Sequence, residues 1–210
     1  NVRIEGCNFY NFSWAGLHFY NTHTAAIYSR KTYVENCYIE RCYYGILSRT
    51  RSEYVSFVGN SSCNNKYGIY IAGGNNYGTN NQFNANACNV VISGTAGQND
   101  SHGSLIGGSM NHAVSFALYM IDINTAFIID GVNMFVAGAT LDNCKGAMLQ
   151  NCIIGSGDIN IVNANSSYNA VRNNIFTIPT NVIAGDTTKV SMSGNRYLDG
   201  SDSTALNNNV

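Results

Sequence analysis

The stretch TYVENCYIERCYYGILSR, residues 32–49, decides the fold that this sequence predicts. It contains three short apolar segments, around Val34, Ile39 and Ile46, and each is too short to form a helix. Because alternate residues of a strand face opposite sides, these three side chains face one side, whereas Leu47 faces the other. The stretch therefore predicts three brief strands that turn about one apolar axis.

The same pattern recurs along the chain. Copies include VRIEGCNFYNFSWAGLHFYN at residues 2–21, EYVSFVGNSSCNNKYGIYIA at 53–72 and NNQFNANACNVVISG at 80–94. They repeat about every 23 residues, and a fixed period in this range indicates a solenoid. Enrichment in β-branched and aromatic residues favours strands over helix pairs. The sequence thus predicts an all-β protein, a single-stranded parallel β-helix of about nine coils with three short strands each.

The repeated motif also carries a family resemblance. The pattern x-I-x-[GN]-[CN]-x-[FI] followed by G-I-x-[IF], as in IEGCNF…AGLHF and VENCYI…YGILS, resembles the right-handed parallel β-helix of the pectin-lyase-like superfamily. The resemblance covers residues 2–198 and implies a right-handed coil. That superfamily contains polysaccharide lyases, glycoside hydrolases, adhesins and phage tailspikes, so the fold alone does not decide the function.

The chain divides into residues 1–198, predicted to form the β-helix, and residues 199–210, DGSDSTALNNNV, which have no strand pattern. We expect this second segment to be an irregular tail or a linker to a further domain. Neither end carries an element that could cap a solenoid, so we expect a piece of a longer protein or a partner chain that covers the ends.

Composition excludes several classes of function. The net charge is −1 and only 11% of residues are charged, so we expect no nucleic-acid binding. No apolar run approaches the roughly 20 residues that span a bilayer, and the first residues lack the character of a signal peptide. Polarity comes instead from residues such as Asn, of which there are 32. We expect most of them to form tight turns and side-chain ladders between coils.

The seven cysteines follow the coils. One repeat position is shared by Cys7, Cys37 and Cys152, and a second is assigned to Cys42, Cys63 and Cys88. No C-x-x-C pair occurs, and the spacings equal the coil period rather than those of a metal site. We therefore expect no metal and no cofactor, but small buried thiols that stay reduced in a cytoplasm.

Charge and aromatic residues concentrate in the first coils. Residues 30–66 contain nine of the 23 charged residues, six of them positive, together with five tyrosines, and Tyr67 follows directly. Stacked coils place equivalent residues about 4.8 Å apart, which puts His18 under Leu47 and Tyr20 under Arg49. The predicted substrate-binding residues of a saccharide groove are Trp14, His18, Tyr20, Tyr44, Arg49, Arg51 and Tyr70. The alternative is an ordinary solvated face with a subunit contact.

Cleavage of a glycosidic bond ordinarily needs two carboxylates that flank the sugar. Glu40 and Glu53 are the predicted catalytic pair, with Glu35 as a third candidate. A lyase would need a basic residue and often a metal held by several acids, and no cluster of three Asp residues is available for calcium. Hydrolysis is therefore favoured over elimination.

Taken with the resemblance, these features predict a bacteriophage tailspike or tail-fibre β-helix. Such a protein would bind a bacterial surface polysaccharide, and under the enzymatic hypothesis it would also depolymerise it. We expect a homotrimer that folds in the host cytoplasm and resides in the tail of the virion, without insertion into a membrane. A non-catalytic carbohydrate-binding or structural virion module is one alternative, and a secreted pectate-lyase-like enzyme is the other.

Overall fold

The computed structural model describes residues 2–20, 31–49, 52–94, 101–162, 169–201 and 206–207, and within them it is a parallel β-solenoid with three sheets. The first sheet contains β1 (Val2–Glu5), β4 (Thr32–Glu35), β7 (Val55–Val58), β10 (Gly74–Thr79), β13 (Ser101–Ile106), β16 (Phe127–Asp130), β19 (Ala147–Gln150), β22 (Asn169–Arg172) and β25 (Val190–Ser193). The second contains β2 (Asn8–Tyr10), β5 (Tyr38–Glu40), β8 (Ser61–Cys63), β11 (Gln82–Asn84), β14 (Ser109–Asn111), β17 (Asn133–Met134), β20 (Ile153–Ile154), β23 (Ile175–Phe176) and β26 (Arg196–Tyr197). The third contains β3 (Ala15–Tyr20), β6 (Tyr44–Arg49), β9 (Tyr67–Ala72), β12 (Cys88–Ser93), β15 (Phe116–Ile121), β18 (Ala139–Asp142), β21 (Ile159–Val162) and β24 (Ile183–Gly185).

The predicted fold class is confirmed. Every strand pairs in parallel with the strand one coil away, so each coil contributes one strand to each sheet. The described residues form eight complete coils and a ninth with two strands, slightly fewer complete coils than the nine predicted. A single turn of 3₁₀ helix, Thr187–Lys189, is the one helical element in the described part of the chain. None of the described helices has the length and apolar character needed to cross a membrane.

A two-residue turn joins the first sheet to the second in every coil. Its first residue always has a left-handed backbone, with φ between 53° and 66°, a conformation that Gly and Asn adopt at least cost. The nine residues at this position are Gly6, Asn36, Gly59, Asn80, Gly107, Gly131, Asn151, Asn173 and Gly194. The turn therefore accounts for five of the 21 glycines and four of the 32 asparagines, and it recurs once in every coil.

The second turn residue builds the predicted asparagine ladder. The side chain of Asn60 donates to Oδ1 of Asn81 at 3.0 Å and to the carbonyl of Val34 at 2.9 Å, and its own Oδ1 accepts from the backbone of Cys37. Asn174 repeats the arrangement with Asn195 at 3.0 Å. These amides are buried, and they pair backbone groups that the turn would otherwise leave without a partner.

The ladder continues into the segment predicted to be an irregular tail. The backbone N–H of Asn195 donates to Oδ1 of Asn207 at 3.0 Å, and Asn207 returns a bond to the carbonyl of Asn195 at 2.9 Å. Leu206 is fully buried and packs in the hydrophobic core. The described part of the tail thus packs against the last coil.

One apolar core runs along the inside of the three sheets. Val34, Ile39 and Ile46 are completely buried in it, as the alternation predicted. Leu47 faces the opposite side, as predicted, and does not belong to the core, but unexpectedly its side chain is only 2% exposed. It lies between His18 and Tyr70 on the outer face of the third sheet, and such large neighbours cover it.

The prediction for the cysteines holds only in part. All seven are free, and Cys37, Cys42, Cys144 and Cys152 are buried. The shared position of Cys37 and Cys152 is confirmed, since both donate their backbone N–H to a ladder asparagine. The second shared position is wrong: Cys42 lies in a turn, Cys63 ends β8 and Cys88 begins β12. Burial is also wrong for Cys7, which is exposed in the first coil.

Candidate functional site

The third sheet presents a broad outer face because its first five strands have six residues each. Parallel register aligns equivalent residues of successive coils into rows along the solenoid. The predicted row of His18, Leu47 and Tyr70 is confirmed by the pairing of β3, β6 and β9. Tyr20 and Arg49 are likewise paired, as predicted. The candidate site is thus assembled from residues about 20 to 30 positions apart in sequence.

Tyrosine rings pack against one another on this face. Tyr44 of β6 stacks on Tyr67 of β9, with centroids 5.1 Å apart and ring planes at 16°. Tyr70 meets both rings edge-on, at 5.6 Å from each. Such stacked and edge-to-face pairs add stability beyond burial and hold the rings in fixed orientations.

A second row begins just before each strand. Trp14 and Tyr43 occupy equivalent positions, because Tyr44 donates its N–H to the carbonyl of Trp14 as Tyr67 does to that of Tyr43. The indole stacks on the Tyr43 ring at 5.7 Å and 11° and remains 49% exposed. We call the continuous face made by Trp14, Tyr43, Tyr44, Tyr67 and Tyr70 the aromatic surface.

Two cations border the aromatic surface. The Lys66 ammonium lies 4.7 Å from the Tyr43 ring centroid and donates to the Tyr43 hydroxyl at 3.1 Å. At the other end of the strands, Arg49 lies over the ring of Tyr20 at 5.1 Å. Its Nε donates to Nε2 of His18 at 3.2 Å. Among the described residues, both cations contact aromatic or imidazole rings rather than carboxylates, which leaves their charge available to a ligand.

These contacts shift the protonation equilibria of the site. Burial, and next the positive charge of Arg49, lower the pKa of His18 below its ordinary value, which keeps the imidazole neutral and able to accept from the guanidinium. Burial first, and then the neighbouring tyrosines, raise the pKa of Tyr44. The hydrogen bond from Lys66 to Tyr43 is the main reason that the pKa of the ammonium is raised. At neutral pH Tyr44 is therefore a neutral phenol and Lys66 is an ammonium.

The structure does not bring the two predicted catalytic carboxylates together. Glu40 ends β5 in the second sheet and accepts from Nδ2 of Asn64 at 2.8 Å. Glu53 lies beyond the end of β6 and accepts from the backbone N–H of Asn75 at 3.1 Å and from its side chain. The six residues of β6 separate them by roughly 17 Å of extended chain, well beyond the roughly 5–9.5 Å between glycosidase carboxylates.

Glu35 and aspartates of the later coils are also engaged in contacts between coils. Glu35 is paired with Arg3, which reaches Glu5 as well. Among the aspartates of the later coils, Asp130 accepts from Nε2 of Gln150 at 3.0 Å and from Nδ2 of Asn151 at 2.8 Å. Such bonds along a row link one coil to the next and do not form an acid–base pair.

Tyr43, Lys66 and Tyr67 belong to the site but were not among the predicted binding residues. The sequence did contain a signal for them, because Trp14, Tyr43 and Lys66 each stand directly before the third strand of successive coils. The predicted Arg51 lies outside the described residues. Within the described ranges, no group of three or more His, Cys, Asp or Glu side chains is arranged to hold a metal ion.

The site therefore offers ring faces with phenol hydroxyls, an indole face and two cations on an open surface. This chemistry suits a ligand with apolar C–H faces, hydroxyl groups and negative charge. Comparison with protein-family models, with curated proteins and with solved structures finds no match to this chain.

Proposed function

We propose that the chain is a carbohydrate-binding β-solenoid and that its aromatic surface binds a bacterial surface polysaccharide. The observation that carries the proposal is the exposed stack of Trp14 on Tyr43, continued by the stacked Tyr44 and Tyr67. Four ring systems held in place by mutual contacts offer a pre-ordered surface, so little side-chain entropy is lost when a ligand binds. The C–H faces of pyranose rings are complementary to such a surface.

The polar groups around the rings support the same ligand. Lys66 and Arg49 flank the rings at opposite ends of the strands and can donate to hydroxyl, carboxylate or phosphate oxygens. The rows of the solenoid run along its axis, so the surface is extended in one direction. An extended, repeating ligand such as a polysaccharide suits this geometry better than a compact metabolite does.

We favour binding without cleavage. Hydrolysis would require Glu40 and Glu53 to flank one glycosidic bond, and the six residues of β6 separate them. Each carboxylate also accepts hydrogen bonds from an asparagine of an adjoining coil, which gives it a structural role. A receptor-binding module therefore accounts for these two glutamates better than a depolymerase does.

The biological setting that we propose is the tail of a bacteriophage, as a homotrimeric tailspike of the pectin-lyase-like type. The parallel solenoid and the motif resemblance support it, as do seven cysteines that remain free thiols. In this setting the stiff rod would present the aromatic surface to the bacterial envelope. Secretion as a pectate-lyase-like enzyme is the weaker alternative, because hydrolytic or eliminative chemistry has less support than binding.

The test is retention of purified capsular and O-antigen polysaccharides by the immobilised protein. We expect at least one polysaccharide to be retained, and Trp14→Ala to weaken its binding about tenfold. Phe135→Ala is the matched control, because Phe135 is similarly exposed, at 48%, in a later coil. Glu40→Gln and Glu53→Gln should leave binding unchanged. Failure of every polysaccharide to bind, or equal losses in the Trp14 and Phe135 variants, would contradict the proposal.

A further inference from the structure

A groove of about 380 Å³ lies on a different face of the solenoid, the outer face of the first sheet. It is lined by Lys31, Tyr33, Tyr54, Ser56 and Tyr77. None of these residues belongs to the aromatic surface of the third sheet. The groove therefore needs an explanation of its own.

Parallel register explains why there is a groove. Tyr33, Ser56 and Tyr77 are consecutive members of one outward-facing row, in β4, β7 and β10. The small Ser56 side chain stands between two tyrosines that are two strand spacings apart, about 9.6 Å. Atoms in contact are about 3.5–4 Å apart, so two tyrosine side chains about 9.6 Å apart leave a gap that one ring of moderate thickness can occupy. A puckered pyranose fills such a slot better than a flat aromatic ring.

The groove tyrosines differ from those of the aromatic surface. Tyr54 and Tyr77 are 45% and 46% exposed. Neither of them, nor Tyr33, makes a ring contact with another described aromatic residue. Tyr54 is moreover held in a left-handed backbone conformation with φ 59°, which is unusual for a bulky side chain. Strained residues cluster at functional sites. Ring faces that are exposed and without a ring partner are suited to stacking on a ligand.

The positive charge of Lys31 favours anionic sugars over neutral ones as ligands of the groove. Lys31 is exposed at the rim and forms no ion pair with another described residue. Among the described residues that line the groove there is no carboxylate. The nearby Glu53 accepts hydrogen bonds from Asn75, whose Oδ1 also accepts a long bond, 3.4 Å, from the Tyr77 hydroxyl. An anionic group on the ligand would therefore meet an available ammonium.

We propose that this groove is a second carbohydrate-binding site that takes a single pyranose carrying a carboxylate. The ring lies between Tyr33 and Tyr77 above Ser56, and the carboxylate pairs with Lys31. The inference shares its ligand class with the proposed function but uses a separate surface, so either can fail without the other.

The experiment measures binding of methyl β-D-glucuronide to the protein by NMR titration, with methyl β-D-glucoside as the uncharged sugar of the same shape. The glucuronide should bind at least about threefold more tightly, and Lys31→Gln should remove that difference. Ser56→Phe fills the slot and should abolish binding of the glucuronide. Ser191→Phe is the matched control, because Ser191 occupies the same outward row in a distant coil and should have no effect.

Two further variants keep the result decisive. Tyr77→Ala removes an exposed wall and should weaken binding about tenfold even if Ser56→Phe does not fold. Trp14→Ala should leave glucuronide binding intact, which separates this groove from the aromatic surface. No measurable glucuronide binding, equal binding of the two sugars, or loss of binding in the Trp14 variant but not in the Tyr77 variant would overturn the inference.

Discussion

Arg49 donates its Nε–H to Nε2 of His18, across 31 residues of sequence and one strand spacing, at 3.2 Å. Only the neutral imidazole can accept this bond. The same guanidinium lies over the ring of Tyr20. One arginine thus couples two residues of the preceding coil, and its position depends on the protonation of His18.

This pair predicts a pH dependence of stability. Burial, then the charge of Arg49, lower the pKa of His18 below its ordinary 6.5, so near that pH the folded state binds fewer protons than the unfolded state. The contribution is therefore present above about pH 6.5 and is lost as the pH falls. In His18→Gln, the decrease in melting temperature between pH 7 and pH 5 should be smaller than in the wild type. An unchanged decrease would contradict the coupling.

The asparagine ladder predicts a strong dependence on single amides. Asn60→Ala removes three side-chain hydrogen bonds, so the backbone N–H of Cys37 loses its acceptor and the carbonyl of Val34 loses a donor. We expect the free energy of unfolding to fall by about 2–4 kcal/mol, measured by urea denaturation. Asn84→Ala is the control, because Asn84 is exposed in β11, and it should change stability by less than about 0.5 kcal/mol. Equal effects would show that the ladder does not stabilise the fold.

The fold could be predicted because its signals are local and repeated. Alternation identified Val34, Ile39 and Ile46 as core residues, and register followed from equivalent positions in successive coils. Sequence could not show that large neighbours cover the outward-facing Leu47, since that depends on side-chain packing. The sequence also could not show how far Glu40 lies from Glu53, because residues close in sequence can be far apart in space when an extended strand separates them.

Core position predicts the effect of a buried charge. Ile46 is fully buried between Leu17 and Ile69 of the adjoining coils. Ile46→Asp places an unpaired carboxylate in the core, and we expect no folded, soluble protein, as measured by circular dichroism and gel filtration. Ile106→Asp provides the comparison, because Ile106 is exposed and should tolerate the change. A folded Ile46 variant would mean that the register is wrong.

Thiol reactivity should follow burial rather than be uniformly slow. Cys7 is exposed and should react with a thiol reagent in the native protein, whereas Cys144 and Cys152 should react only after denaturation. Burial raises the pKa of each of these two thiols to about 12, so little thiolate forms at neutral pH. The check is mass spectrometry of labelled peptides over time, with Cys7→Ser confirming the fast site. Fast labelling of Cys152 would contradict the packing of the later coils.

The final prediction concerns the charge of the polysaccharide. Lys66 lies over the ring of Tyr43 and borders the aromatic surface, so it is placed to meet an anionic group on a bound glycan. Lys66→Met keeps the length of the side chain and its contact with the ring but removes the charge. For an acidic polysaccharide we expect affinity to fall about threefold in low salt and the difference from the wild type to disappear in high salt.

Lys145→Met is the matched control, because Lys145 is an exposed lysine of a later coil, and it should leave affinity unchanged. For a neutral polysaccharide neither lysine variant should differ from the wild type, whereas Trp14→Ala should still weaken binding. This pattern distinguishes recognition of charge from recognition of the sugar ring, because the two cations and the stacked rings contribute separately to the surface. A loss of affinity in the Lys145 variant equal to that in the Lys66 variant would place the glycan elsewhere on the solenoid.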